Sequence, residues 1–242
     1  MRMDLTGKRA LITGAGSGIG KGIALSLARE GVDMVICGRN EAKLQTTAGE
    51  AQGTGRVIVC AGDLLQERYI QRAVAMAEQE LGGLDFLINN AGLVQNMPFE
   101  GIPTDLFDTV MATNVRAPFL MCKHALEALK ASGLGTIVNI CSVVAHKGYP
   151  NQAAYAASKH ALYGLSKTMA NELYQENVRV HVICPGGVCT EMVRLARPDL
   201  DTSELMVPED IADIVLYFLQ HRNTNGVVDE VSIHRPGKAP FA

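Results

Sequence analysis

A doubly wound α/β domain, with a mostly parallel seven-stranded sheet and helices on both faces, is the fold this chain predicts. Three observations carry that expectation. Short apolar strands alternate with helical patterns along the whole length, and strands separated by crossover helices run parallel in one sheet. Several strands, such as Phe86-Leu-Ile and Thr136-Ile-Val-Asn-Ile, are continuous apolar runs, as expected of strands covered on both faces. A glycine-rich turn, Thr13-Gly-Ala-Gly-Ser-Gly-Ile-Gly20, links the first strand to the first helix.

The elements follow in order. Lys8–Thr13 is a short apolar strand, and the helical pattern after the glycine turn runs through Ala28. Val32–Cys37 is the second strand, with a helix over Glu41–Gln52, and Arg56–Ala61 is the third, with a helix over Ile70–Glu80. Leu84–Asn89 is the fourth, followed after a loop by one long helix over Thr104–Ala131. Gly135–Cys141 and the helix Ala153–Tyr174 come next, then Val178–Cys184, the helix Pro208–Leu219, and a last strand over Gly226–Ile233. In that last segment Val231 and Ile233 alternate with Glu230, Ser232 and His234, the two-residue period of a strand. No Pro/Ser-rich linker or charge block interrupts the order, so residues 1–242 read as a single domain.

Composition narrows the function classes. The chain has 242 residues, 48% hydrophobic and 19% charged, which suits a soluble globular protein with a sizeable core. A net charge of −3 without a basic cluster argues against nucleic-acid binding. No apolar run approaches the roughly 20 residues of a membrane helix. Six scattered cysteines form no C-x-x-C pair, and read as buried, reduced thiols of an intracellular protein. The six histidines lack metal-ligand spacing along the chain, so no metal is expected. The first strand begins by about Arg9 with nothing like a signal peptide before it, and the expected address is cytoplasmic.

The glycine turn follows a strand and opens a helix, the context in which such turns hold phosphates. Its spacing is G-x-x-x-G-x-G through Gly14, Gly18 and Gly20, with Ile19 where the commoner G-x-G-x-x-G pattern needs glycine. The physics is shared: glycines let backbone approach a pyrophosphate, and the helix N-terminus stabilises its charge. A tight turn without a ligand is the alternative. At the end of the second strand a carboxylate suits the ribose hydroxyls of NAD, and an arginine suits the 2′-phosphate of NADP. The chain reads Val35-Ile-Cys-Gly-Arg-Asn40, with no carboxylate at 37–40 and Arg39 available. NADP(H) is therefore expected over NAD(H), with a solvated Arg39 as the alternative.

Tyr155 and Lys159 stand four residues apart in a helical pattern, thirteen residues after Ser142, which places both on one helix face. A phenol in water ionises near 10, and an adjacent ammonium favours the ionised form, so such a pair can do acid–base work. The same spacing recurs at Tyr163 and Lys167. Spacing alone does not choose between the copies.

These residues, from Thr13 to about Leu219, resemble the short-chain dehydrogenase/reductase family and its 3-oxoacyl-[acyl-carrier-protein] reductase-like members. The likeness rests on the glycine turn, Asp63-Leu64, Asn89-Asn-Ala-Gly92, Asn114, Ser142, Tyr155-Ala-Ala-Ser-Lys159 and Pro185-Gly-Gly-Val-Cys-Thr190, all in order. It implies a single-domain Rossmann fold and selects Tyr155, since the family's tyrosine follows its serine by about a dozen residues. Tyr163 is then expected in packing or a subunit contact. By the same likeness Tyr155 is the acid–base residue, Lys159 binds the nicotinamide ribose, and Ser142 hydrogen-bonds the substrate oxygen. Asn114 holds a water that continues the proton path. The resemblance gives the cofactor Gly14, Ser17, Gly18, Ile19, Gly20, Arg39, Asp63, Leu64, Asn90, Ala91 and Gly92. To these it adds Pro185, Gly186, Val188 and Thr190 near the nicotinamide. Singly, several have plainer readings: Ser142 as a turn residue, Asn114 as a satisfied buried amide, Asp63 as a helix cap.

The substrate side is less defined. Residues 191–207 form a short candidate lid, with Met192, Val193, Leu195 and Ala196 either a small amphipathic helix or simple packing. The pocket wall is expected from 143–152, with Val144, His146 and Gln152, joined by Leu93, Val94, Gly187 and Met192. The tail 235–242 departs from the family's usual ending, which puts its usual subunit contact in doubt. The expected reaction is hydride transfer between the nicotinamide and a small carbonyl or secondary-alcohol substrate, in a homo-oligomer, tetramer or dimer. One alternative is a 3-oxoacyl-[acyl-carrier-protein] reductase, weakened because the turn before the fifth strand, Leu129-Lys-Ala-Ser-Gly-Leu-Gly135, holds Lys130 as its one basic residue. Another is a dinucleotide-binding sensor or scaffold that has lost its chemistry.

Overall fold

The structure, a computed structural model, describes residues 2–196 and 201–238. Seven strands form one sheet: β1 (Arg9–Thr13), β2 (Asp33–Gly38), β3 (Val57–Ala61), β4 (Phe86–Asn89), β5 (Thr136–Ile140), β6 (Arg179–Pro185) and β7 (Glu230–Ile233). Their order is β3-β2-β1-β4-β5-β6-β7, and every neighbouring pair is parallel. The helices are α1 (Gly18–Arg29), α2 (Glu41–Glu50), α3 (Glu67–Leu81), α4 (Thr104–Met111), α5 (Ala117–Ala131), α6 (Ala153–Leu173), α7 (Glu191–Ala196) and α8 (Pro208–Gln220).

The two-residue period of the strands decides which face each side chain serves. Ala10 and Ile12, Met34 and Ile36, Phe86 and Ile88 pack with Ile23, Leu27, Ile211 and Val215 of α1 and α8. Their neighbours Leu11, Val35, Leu87 and Ile137 face the opposite way, onto Ile70 and Val74 of α3 and Met121, Ala125 and Leu129 of α5. At the amino ends of the central strands, away from the loops that carry chemistry, buried Asp85 fixes β1: it accepts from Arg9 N at 2.8 Å, Nε at 2.9 Å and NH2 at 2.8 Å.

Most strand and helix ends fall within two residues of the sequence reading, and three elements depart further. The long helix over Thr104–Ala131 is broken by a π turn at Ala112–Arg116. Helix α3 begins at Glu67, because the Asp63 carboxylate accepts from Leu65 N and the Asp63 carbonyl from Gln66 N, turning the chain into the helix earlier. β7 starts at Glu230 and not at Gly226, since the Val228 carbonyl is taken by the His181 ring and not by a ladder bond. Residues 191–196 form a helix with no buried side chain. The lid positions 197–200 and the tail positions 239–242 lie outside the described residues.

His181 is 2% exposed and stacks on Phe218 with ring centroids 4.5 Å apart. The Val228 carbonyl only accepts, so Nδ1 carries the proton and donates at 2.7 Å, while Nε2 has no partner among the described residues. Burial pushes this imidazole down to about 4. The unfolded chain takes up that proton near 6.5, so its contribution to stability is present above that pH and is lost as pH falls towards 4. The loss amounts to about 3 kcal/mol by pH 4. Urea unfolding of wild type and His181→Asn between pH 7 and pH 4 measures it: the variant lacks this component of the acid sensitivity.

Candidate active site

The order of the strands reverses between β1 and β4, which pair directly and in parallel, Ala10 with Phe86; at such a switch the loops leave on opposite sides and open a crevice at the carboxyl ends. Here the two loops are joined. Thr13 Oγ1 accepts from Asn90 N at 3.0 Å and Ala91 N at 3.1 Å. The Asn90 amide donates to Thr13 O at 3.0 Å and Gly14 O at 3.2 Å. Asn90, expected at the cofactor, thus spends its side chain on the walls of the crevice.

The glycine turn fits a pyrophosphate. Gly14 sits at φ 69°, and a Cβ there would stand 2.9 Å from Ala91 Cα; one on Gly20 would stand 2.3 Å from Gly14 O. Gly18 faces Thr190, whose Cγ2 would be 3.0 Å from an added Cβ, and a cleft of about 200 Å³ opens beside that contact. Ser17 is exposed with no cap bond from its side chain, and the first turn of α1 carries no acid, which leaves the helix N-terminus open to an anion. Arg39 is exposed between β2 and α2, and among the described residues its guanidinium has no hydrogen-bond partner. Asp63 is half-buried with one oxygen bonded to Leu65 N, and Leu64 is buried.

Tyr155 and Lys159 share one face of α6, with Nζ 5.7 Å from the phenol ring centroid. Lys159 is 4% exposed, and among the described residues its ammonium donates to a single acceptor, Ile140 O at 2.9 Å. Two of its three N–H groups are therefore unfilled in a buried place, a costly state unless a ligand meets them. That is the donor set ribose hydroxyls fit. Ser142 caps the turn Val143–Ala145 by accepting from Val144 N at 3.3 Å, and donates a long bond of 3.4 Å to Pro185 O. Asn114 lies fully buried in the π turn. Its Oδ1 accepts from Leu93 N at 2.7 Å, and its amide donates to Leu93 O at 2.8 Å and Ser158 Oγ at 2.9 Å. Gly92 lies between the two: a Cβ there would stand 3.4 Å from Asn114 Oδ1 and 3.8 Å from Lys159 Nζ.

The segment after β6 approaches from the other side. Gly186 N donates to Ile233 O, and Val188 bridges Met206 through bonds made by Gly187 and Cys189. Val188 therefore buries its side chain in the core and keeps its own N–H and C=O off that bridge. Thr190 Oγ1 accepts from Val193 N at 3.2 Å and caps α7. Along α7, Met192 and Leu195 are exposed.

Sequence patterns missed what holds α7 down. Lys43 of α2 pairs with Glu191 at 2.5 Å, and Asn96 Nδ2 donates to Ala196 O at 2.6 Å. Neither partner is near the other in the chain, so no local pattern signals them. The expected pocket wall divides. Val144 is buried and Gln152 is half-buried at the start of α6, but His146 is tied to Glu230 of β7 at 2.9 Å. Tyr163 joins them, its hydroxyl donating to the same carboxylate at 2.6 Å. Lys130, the one candidate for an acidic carrier, already pairs with Glu127 and Glu176.

Comparisons with known proteins agree on one family. A family model described as short chain dehydrogenase matches residues 8–201. D-beta-hydroxybutyrate dehydrogenase of Rhizobium meliloti is 34% identical over 212 residues, 86% of this chain and 82% of that one. 3beta-hydroxysteroid dehydrogenase of Mediterraneibacter gnavus is 35% identical over 199 residues, 81% of this chain and 71% of that one. Among solved structures, 3-ketoacyl-(acyl-carrier-protein) reductase from Brucella melitensis complexed with NADH has a TM-score of 0.85 at 30% identity, over 95% of this chain and 97% of that one. On this breadth of match the chain belongs to the short chain dehydrogenase family, as an oxidoreductase that works with a nicotinamide cofactor on hydroxyl or ketone groups.

Proposed function

We propose that the chain is an NADP(H)-dependent reductase of small ketones, running in reverse as a secondary-alcohol dehydrogenase, with Tyr155 as its acid–base residue. The observation that carries this reading is the buried Lys159 ammonium, one helical turn from Tyr155, with a single acceptor among the described residues. When bound, the nicotinamide supplies or takes the hydride. Lys159 holds the ribose with its two unfilled N–H groups and presents a fixed positive charge beside the phenol. Tyr155 gives its proton to the carbonyl oxygen as the alcohol forms. Ser142 turns its hydroxyl from Pro185 O, a bond already long at 3.4 Å, to the same oxygen, stabilising the charge that develops there. Asn114 fixes Leu93, and with Lys159 it flanks Gly92, the position for the water that carries the proton onward.

Cofactor choice rests on Arg39, exposed and without a partner among the described residues, on a loop with no carboxylate at 37–40. A free substrate fits better than a carrier-linked one, because Lys130 is committed to two glutamates. Val144, Gln152, Gly187 and Met192 serve the substrate pocket in this reading, and the chain works in the cytoplasm. Phe107 and Phe119 of α4 and α5 are 40% and 44% exposed, and support assembly as a homo-oligomer through those helices.

Three experiments test the proposal. Tyr155→Phe keeps NADPH binding, followed by fluorescence titration, and lowers kcat on any good ketone by about 10²–10⁴-fold; unchanged turnover removes Tyr155 from its role. A panel of ketones and alcohols giving no turnover despite tight NADPH binding favours a sensor over an enzyme. Arg39→Ala raises KM for NADPH about 10–100-fold, the worth of one charge-assisted phosphate contact, and leaves KM for NADH nearly unchanged. Equal effects on both cofactors refute the phosphate contact.

A further inference from the structure

His146, Cys184 and Glu230 meet from three separate parts of the fold: the turn after Ser142, the end of β6 and the start of β7. One ring nitrogen, one thiol sulfur and one carboxylate oxygen lie within 4.8 Å of one another, and His146 Nε2 is 2.9 Å from Glu230 Oε1. We propose that these three side chains form a zinc site outside the machinery of hydride transfer, and that the ion staples the Ser142 turn to β6 and β7.

The donor set selects the metal. Nitrogen, sulfur and oxygen together suit a borderline-soft ion, whereas calcium and magnesium want oxygen ligands only. Zinc bonds of about 2.0–2.3 Å in tetrahedral geometry set ligand atoms roughly 3.3–3.7 Å apart. The His146–Glu230 contact needs only to open slightly, and the sulfur to close by about 1.5 Å at most, on the geometry that zinc imposes. Three protein ligands leave a fourth position for water, the arrangement of an exchangeable site. Exposed His146 provides the way in, while Cys184 closes the floor at 0% exposure.

The supports around the ligands are already in place. Tyr163 donates to the second oxygen of Glu230 at 2.6 Å, leaving Oε1 for the ion. Its ring meets the His146 imidazole edge-on, centroids 4.9 Å apart at 77°, which sets the plane of the ring. Such outer contacts orient ligands and raise metal affinity. Binding displaces the Cys184 thiol proton and any proton shared between His146 and Glu230, so zinc uptake releases acid. Cys184 immediately precedes Pro185, whose carbonyl accepts from Ser142, and occupancy therefore ties together both sides of the catalytic floor.

The test is zinc binding to the full chain, stripped by chelator and kept reduced. Titration against a chromophoric chelator should give one zinc per chain. His146→Ala and Glu230→Gln should each weaken binding at least as much as losing an outer-shell partner, roughly 10–100-fold. Cobalt in the same site should show a thiolate-to-metal band in the near ultraviolet that Cys184→Ala abolishes. Zinc should raise Tm in wild type and not in His146→Ala, an exposed position whose loss leaves packing in place. Zinc affinity equal in wild type and in both the His146 and Glu230 variants overturns the site, as does cobalt binding without the thiolate band or the absence of zinc uptake by wild type.

Discussion

The seam between Thr13 and Asn90 is the contact on which the crevice depends. Parallel strands in a doubly wound sheet send their loops apart at the switch point, and nothing in the ladder keeps those loops in register. Five hydrogen bonds do so here: the Thr13 hydroxyl takes two backbone donors from the β4 loop and gives its own proton to Ile88 O, and the Asn90 amide gives two to the β1 turn. All lie at or near the interior, where a lost partner leaves a desolvated polar group behind. The close approach at Gly14 and Gly20 follows from this seam, because the glycine turn is held against Ala91 and Asn90.

A second constraint is electrostatic. A buried ammonium is expensive, and Lys159 is held by one carbonyl of β5 without a carboxylate paired to it among the described residues. Burial with so few partners suits a group that waits for a ligand better than one that serves the fold. Next to it the chain uses neutral polar groups, Asn114, Ser158 and Ser142, which orient without cancelling the charge.

Much of this was legible in the chain before any coordinates. The parallel direction of the strands follows from element alternation, and the Ser142, Tyr155 and Lys159 set lies in one short stretch where helix geometry relates spacing to position. The rest depends on contacts between distant segments. Lys43 and Glu191 are far apart in sequence, as are His146, Cys184 and Glu230, so histidine and cysteine spacing could not reveal their meeting. Tyr163 looked like a rival copy of the Tyr155 motif, and only the fold shows its hydroxyl turned to Glu230. β7 was read four residues too long because alternation cannot show that a side chain has taken a ladder acceptor.

The π turn at Ala112–Arg116 escaped for a similar reason, since apolar periodicity is coarse enough to hide one extra residue. Its effect reaches beyond Asn114. One residue inserted into a helical turn rotates everything after it by about 100° relative to what came before. Helix α4 can therefore turn towards α6 while α5, continuing the same rod, turns towards α3. A single helix out of phase with itself serves two different neighbours, and the phase slip is placed where the buried amide sits.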